Sequence, residues 1–153
     1  MLEDLVSNAL ADFREVARLA QVDASLGQIN PQILPKPHKA RTLPVGNMAI
    51  YAFFLEGRAL KVGKVGPNSG PRFTYQHYTG AAQSTLHRSI LANREKVGAV
   101  GIDAETAADW IRNHTDRIDL LIPASFGLAF LSLLEAFLQA RWKPLFEGKP
   151  DGD

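Results

Sequence analysis

The chain has 153 residues, of which 46% are hydrophobic and 22% charged. That is enough for one domain with a real core and too little for two ordinary ones. Lys and Arg total 17 against 16 Asp and Glu, and the net charge of +1 excludes the strongly basic balance of a non-specific nucleic-acid coat. Cysteine is absent, which excludes disulfides and thiolate zinc sites. No apolar run approaches the roughly 20 residues that span a bilayer. The opening Met-Leu-Glu-Asp-Leu lacks the basic and continuous apolar regions of a signal peptide, so a cytoplasmic location is the default expectation.

Residues 2–21 place Leu2, Leu5, Val6, Ala9, Phe13, Val16, Ala17 and Ala20 on one helical face, with Glu3, Asp12, Arg14 and Arg18 opposite. This spacing predicts an amphipathic helix. Its stripe must be covered by its own domain, by a second copy of the chain or by a partner protein. Residues 22–46 carry Gly27, Pro31, Pro35, Pro37, Pro44 and Gly46, a density that predicts an extended connector. Within it, Lys36-Pro37-His38-Lys39-Ala40-Arg41 is a local basic cluster. A second basic set is Lys61, Lys64, Arg72, His77, His87 and Arg88.

Residues 47–56 read as a buried strand, Gly57-Arg58 as a tight turn and residues 59–63 as the returning strand. A loop from Gly66 to Pro71 leads into a short helix over about 72–78. A second helix starts at Ser84 or Thr85 and ends near Gly98, and a third opens at Asp103 or Thr106 and reaches about Asn113. Residues 117–123 alternate at their start and close on Pro123, as a third strand would. A long helix over 127–142 ends before Pro144. The order predicts an α+β fold: a small three-stranded mixed sheet flanked by helices, with the N-terminal helix as an addition.

Glu135 is the residue that most demands an explanation. At about 100° per residue it falls among Leu128, Leu131, Leu138 and Trp142 of the last helix. A carboxylate on an apolar face is costly unless it is ion-paired, hydrated or metal-bound. Tyr51 sits in the first strand, and Lys61-Val62-Gly63-Lys64 follows ten residues later. Gly63 permits close approach of a ligand to the backbone. Arg72 offers a planar fork suited to a pair of phosphate oxygens.

The order Ala49-Ile50-Tyr51, Lys61-Val62-Gly63-Lys64, Arg72 and Glu135 resembles the GIY-YIG nuclease superfamily over roughly residues 47–148. The resemblance divides the chain into the helix (1–21), the connector (22–46) and a nuclease-like domain (47–153). It implies a metal-dependent endonuclease that hydrolyses phosphodiester bonds in nucleic acid, with DNA favoured over RNA and no membrane partner. Tyr51, Lys61, Arg72, His77 and Glu135 would be the catalytic set. Gly63, Lys64 and Arg72 would meet the phosphate, and Glu135 would hold Mg²⁺ or Mn²⁺. A phenol with a pKa near 10 needs a neighbouring cation to help it act on water at neutral pH. Two positions depart from the pattern: Lys61 stands where the second motif has tyrosine, and Glu147 where it ends on asparagine. The helical histidine or tyrosine of the pattern lies four residues after the arginine. Here that position is Gln76, with Tyr75 and His77 on either side. A non-catalytic interaction module on the same fold is the rival expectation.

Overall fold

The computed structural model describes residues 1–22 and 25–146, so Glu147 lies outside the described residues. Among the described residues, four strands and five α-helices form the domain. The helix α1 spans Leu2–Leu19 and buries Val6, Ala9, Phe13 and Ala17. The strands are β1 (Asn30–Leu34), β2 (Asn47–Leu55), β3 (Arg58–Val65) and β4 (Asp116–Pro123). A π-helical turn, Arg72–Gln76, runs into the short α2, His77–Thr79. Then come α3 (Leu86–Ala92), α4 (Ala107–His114) and α5 (Leu128–Trp142).

The sheet has the order β1-β4-β2-β3, and every neighbouring pair is antiparallel. This corrects the expected three-stranded mixed sheet in two respects. First, the segment read as a connector contributes β1, paired with β4 from Asn30↔Leu121 to Leu34↔Arg117. Its Pro31 is acceptable there because an edge strand has one side free of ladder bonds. Second, the helices after β3 carry the chain back across the whole length of the sheet. As a result β4 runs against β2, from Asn47↔Pro123 to Phe54↔Asp116. The β2–β3 turn is Glu56-Gly57, both at positive φ, one residue earlier than the spacing predicted.

Strand alternation sends the two faces of the sheet into two cores. On one face Met48, Ile50, Ala52 and Val62 pack with Phe130, Leu131, Leu134 and Leu138 of α5 and with Phe13 of α1. The stripe of α1 is therefore covered by its own domain. Burying Val6 and Phe13 contributes roughly 1.5–3 kcal/mol each, and Phe13 meets Phe130 edge-on at 5.7 Å. On the other face Tyr51, Phe53 and Leu60 pack with Phe73, Tyr78, Leu86, Ile90 and Ile111. Thr85 caps α3 by accepting from Arg88 N. Among the described residues, no helix is long and apolar enough to cross a membrane.

Candidate functional site: a cleft over the β3 edge

Among the described residues, β3 is an outer strand of the sheet, paired with β2 on one side. Tyr51 opposes Gly63 and Phe53 opposes Lys61, so Tyr51, Lys61 and Gly63 share one face. Lys64 opposes Ile50 and points to the other face, where α5 lies. The two layers meet around the β3 edge. There a cleft of about 280 Å³ is lined by Tyr51, Lys61, Val62, Gly63, Lys64, Arg72, Ser84 and Glu135. The structure thus brings together residues from two strands, the π turn, a loop and the last helix.

Each member is held by its own element. Tyr51 is 1% exposed. Its ring lies across Gly63, where an added Cβ would come within 2.5 Å of Tyr51 Cζ and nearer still to its hydroxyl. The absence of a side chain at 63 is therefore a packing requirement set by Tyr51. Lys61 is 4% exposed and reaches the cleft from β3. Arg72 donates from Nη1 to the Gln83 carbonyl and from Nη2 to the Ser84 carbonyl, both at 3.1 Å. Those bonds clamp a loop in which Ser84 adopts φ 55°, a conformation costly for a non-glycine residue. Among the described residues, these bonds use two of the five guanidinium N–H donors and leave three for another partner.

Glu135 Oε1 accepts from Lys64 Nζ at 3.0 Å, with side-chain exposures of 18% and 42% respectively. Of the alternatives open for a carboxylate on this helix, an ion pair is formed, and it faces the cleft. Next along α5, Gln139 Nε2 donates to the Val62 carbonyl at 3.0 Å and ties the helix to the β3 edge. The same edge is covered further on by backbone bonds from Leu145 N to Ala59 O and from Phe146 N to Leu60 O.

His77 is fully buried, and its ring packs against Tyr51 in a tilted arrangement, with centroids 4.3 Å apart. It does not line the cleft; it backs the tyrosine that does. The π turn explains its place in the chain. In i→i+5 bonding the fifth residue, not the fourth, comes back over Arg72. His77 therefore occupies the position that Gln76 would take in an α-helix, while Tyr75 points outward at 47% exposure. Leu86 N donates to His77 Nδ1 at 3.1 Å, which fixes the neutral ring with its proton on Nε2. Burial, then the charges of Arg72, Lys61 and Arg117, push its pKa down to about 2. Among the described residues Nε2 has no hydrogen-bond partner.

Beneath this layer lies a second polar group that sequence reading missed. Arg117 and Asp119 on β4 are both fully buried and pair at 2.8 Å. Arg117 also donates to Tyr78 Oη at 3.1 Å and to the Phe73 carbonyl at 2.7 Å. His38 completes the chain: Nδ1 lies 2.8 Å from the Thr115 carbonyl and Nε2 2.7 Å from Tyr78 Oη. Burial pushes the Asp119 carboxyl above its ordinary range, and Arg117 pulls it back in part. This network anchors the π turn and α2, and hence Arg72 and His77, to the centre of the sheet. The alternation Arg117-Ile118-Asp119 within a strand was the available signal, since it puts two opposite charges on one inward face.

Among the described residues, Glu135 is the one carboxylate that lines the cleft, and it shares it with Lys61, Lys64 and Arg72. Glu135 supplies one carboxylate, and Mg²⁺ keeps several waters and takes few protein ligands. Among the described residues, no group of three or more His, Asp or Glu side chains could hold a metal together. Comparison with family models, with curated proteins and with solved structures returns no match.

Proposed function

We propose that the chain is a metal-dependent endonuclease with a GIY-YIG-like catalytic domain, hydrolysing phosphodiester bonds in nucleic acid, with DNA as the first substrate to test. One observation carries the reading: a phenol, two lysines, an arginine fork and a single carboxylate line one cleft although they span residues 51–135. Tyr51 and Lys61 would position the attacking water and help take its proton. The clamped Arg72 would present its remaining N–H donors to the non-bridging phosphate oxygens, with little reorganisation needed at the moment of reaction. Lys64 would exchange part of its contact with Glu135 for phosphate. Gly63 leaves Tyr51 room to lie at the cleft surface, and His77 holds the ring in place from behind. Glu135 would hold the Mg²⁺ or Mn²⁺, which when bound supplies positive charge for the phosphoryl oxygens.

The Lys64–Glu135 ion pair favours a second reading, because a paired carboxylate needs no metal to satisfy it. On that reading the same fold is a non-catalytic module that binds nucleic acid or protein. Incubation with supercoiled plasmid and with single-stranded DNA, in Mg²⁺, Mn²⁺ or EDTA, separates the two. Metal-dependent nicking supports the endonuclease. Binding without nicking supports the module.

A further inference from the structure

The basic cluster Lys36–Arg41 is not a loose linker. Lys36 N donates to Asp116 Oδ1 at 2.8 Å, His38 N donates to the Arg112 carbonyl at 3.0 Å, and Thr74 Oγ1 donates to the Arg41 carbonyl at 3.3 Å. The His38 ring is buried against Tyr78 and Thr115. The backbone and one ring are fixed, while the Lys36, Lys39 and Arg41 residues stay exposed. Among the described residues no carboxylate side chain pairs with Lys36 or Lys39. Next to this segment a second cleft of about 320 Å³ is lined by Lys39, Ala40, Thr74, Tyr75, Tyr78 and Arg112. The guanidinium of Arg112 sits 5.0 Å over the Tyr78 ring, and its contact with Asp109 is long, at 3.5 Å. Tyr75 is one of the few large hydrophobic side chains left in solvent.

We propose that this second cleft receives one unpaired base of a single-stranded segment of nucleic acid, stacked on Tyr75, with the adjacent phosphates on Lys39 and Arg112. An exposed aromatic ring beside cations is the arrangement that binds single strands without reading sequence. Arg72 and Tyr75 are carried by the same π turn, three residues apart. The inference deepens the endonuclease reading and rests on it for the choice of a nucleic acid as occupant.

The test is fluorescence anisotropy in EDTA. The probes are a labelled twelve-nucleotide oligothymidine and an abasic strand of the same length, which keeps the phosphates and lacks the bases. Tyr75→Ala is expected to weaken oligothymidine binding by about five- to a hundredfold and to leave abasic binding unchanged. Tyr75→Phe should restore the loss. Lys39→Ala should weaken both probes and lower the salt slope by about 0.7. The inference is overturned if Tyr75→Ala binds oligothymidine as the wild type does, if it weakens both probes equally, or if the wild type binds neither. A wild type that behaves as expected here but never nicks plasmid keeps this site and removes the endonuclease. One that nicks plasmid while Tyr75→Ala binds normally does the reverse.

Discussion

Gly63→Ala is a small change with a large expected effect. The new methyl would lie 2.5 Å from Tyr51 Cζ and 3.1 Å from Cε2. Carbon pairs are comfortable only from about 3.5 Å, so the ring must retreat by about 1 Å. That retreat is resisted, because Tyr51 is 1% exposed and its ring is packed against His77 at 4.3 Å. Overpacking of this kind costs about 1–3 kcal/mol. Backbone strain does not explain the loss, since Gly63 is an ordinary strand residue within β3. The clean assay is a double-mutant cycle by urea unfolding. Tyr51→Leu keeps an apolar side chain but removes the atoms that reach over Gly63. In that background Gly63→Ala should be neutral or slightly stabilising, giving a coupling of about 1–3 kcal/mol. Nicking should fall with Gly63→Ala alone, because the hydroxyl leaves the cleft. Equal costs in both backgrounds would refute the claim that Gly63 exists to seat Tyr51.

His77 titrates at about 2 when folded, below an ordinary histidine at 6.5, so the unfolded chain alone takes up its proton as pH falls. The stability tied to neutral His77 is therefore complete above pH 6.5 and is lost progressively as pH drops toward 2. His77→Gln should flatten this limb of the stability curve in urea titrations between pH 4 and 7, and an unchanged slope would mean that His77 protonates freely in the fold. Asp119→Ala strands a buried guanidinium and should cost about 3–5 kcal/mol by chemical denaturation; a cost below 1 kcal/mol would show the pair to be solvated. Deleting residues 1–21 should expose the core face beneath α1 and cause aggregation, while the intact chain should unfold at a midpoint independent of protein concentration. A soluble truncated protein with an unchanged midpoint would contradict the packing of α1.

The elements that were legible in the sequence are those with strong local signals. The hairpin of β2 and β3 stands between a buried apolar run and Gly57, α1 has a long clean stripe, and α5 is bounded by Gly127 and Pro144. The strand β1 was hidden because its pairing is non-local: Pro31 and its neighbours speak for a connector, and only β4, some ninety residues later, turns them into an edge strand. The cleft residues were readable by type and spacing, but their mode of assembly was not. Alternation puts Lys64 and Tyr51 on opposite faces, and they meet only because β3 is the edge around which α5 and the π turn both reach. The offset of His77 from the expected four-residue spacing depends on a π turn, which composition does not signal. The part played by Ser84, a cleft residue at positive φ, depends on the clamp from Arg72 and leaves no pattern of its own.

Under the endonuclease proposal, the cleft cuts phosphodiesters with Glu135 as its metal residue. The most direct test is the rate at which supercoiled plasmid is nicked in Mg²⁺, wild type against Glu135→Ala, with unfolding midpoints measured on the same samples. Lys64 is 42% exposed, so losing its partner should change stability by less than about 1 kcal/mol. The expected result is nicking by the wild type, none in EDTA, and none by a Glu135→Ala protein that remains folded. Nicking that survives Glu135→Ala, or a wild type that binds DNA and never cuts it, would contradict it.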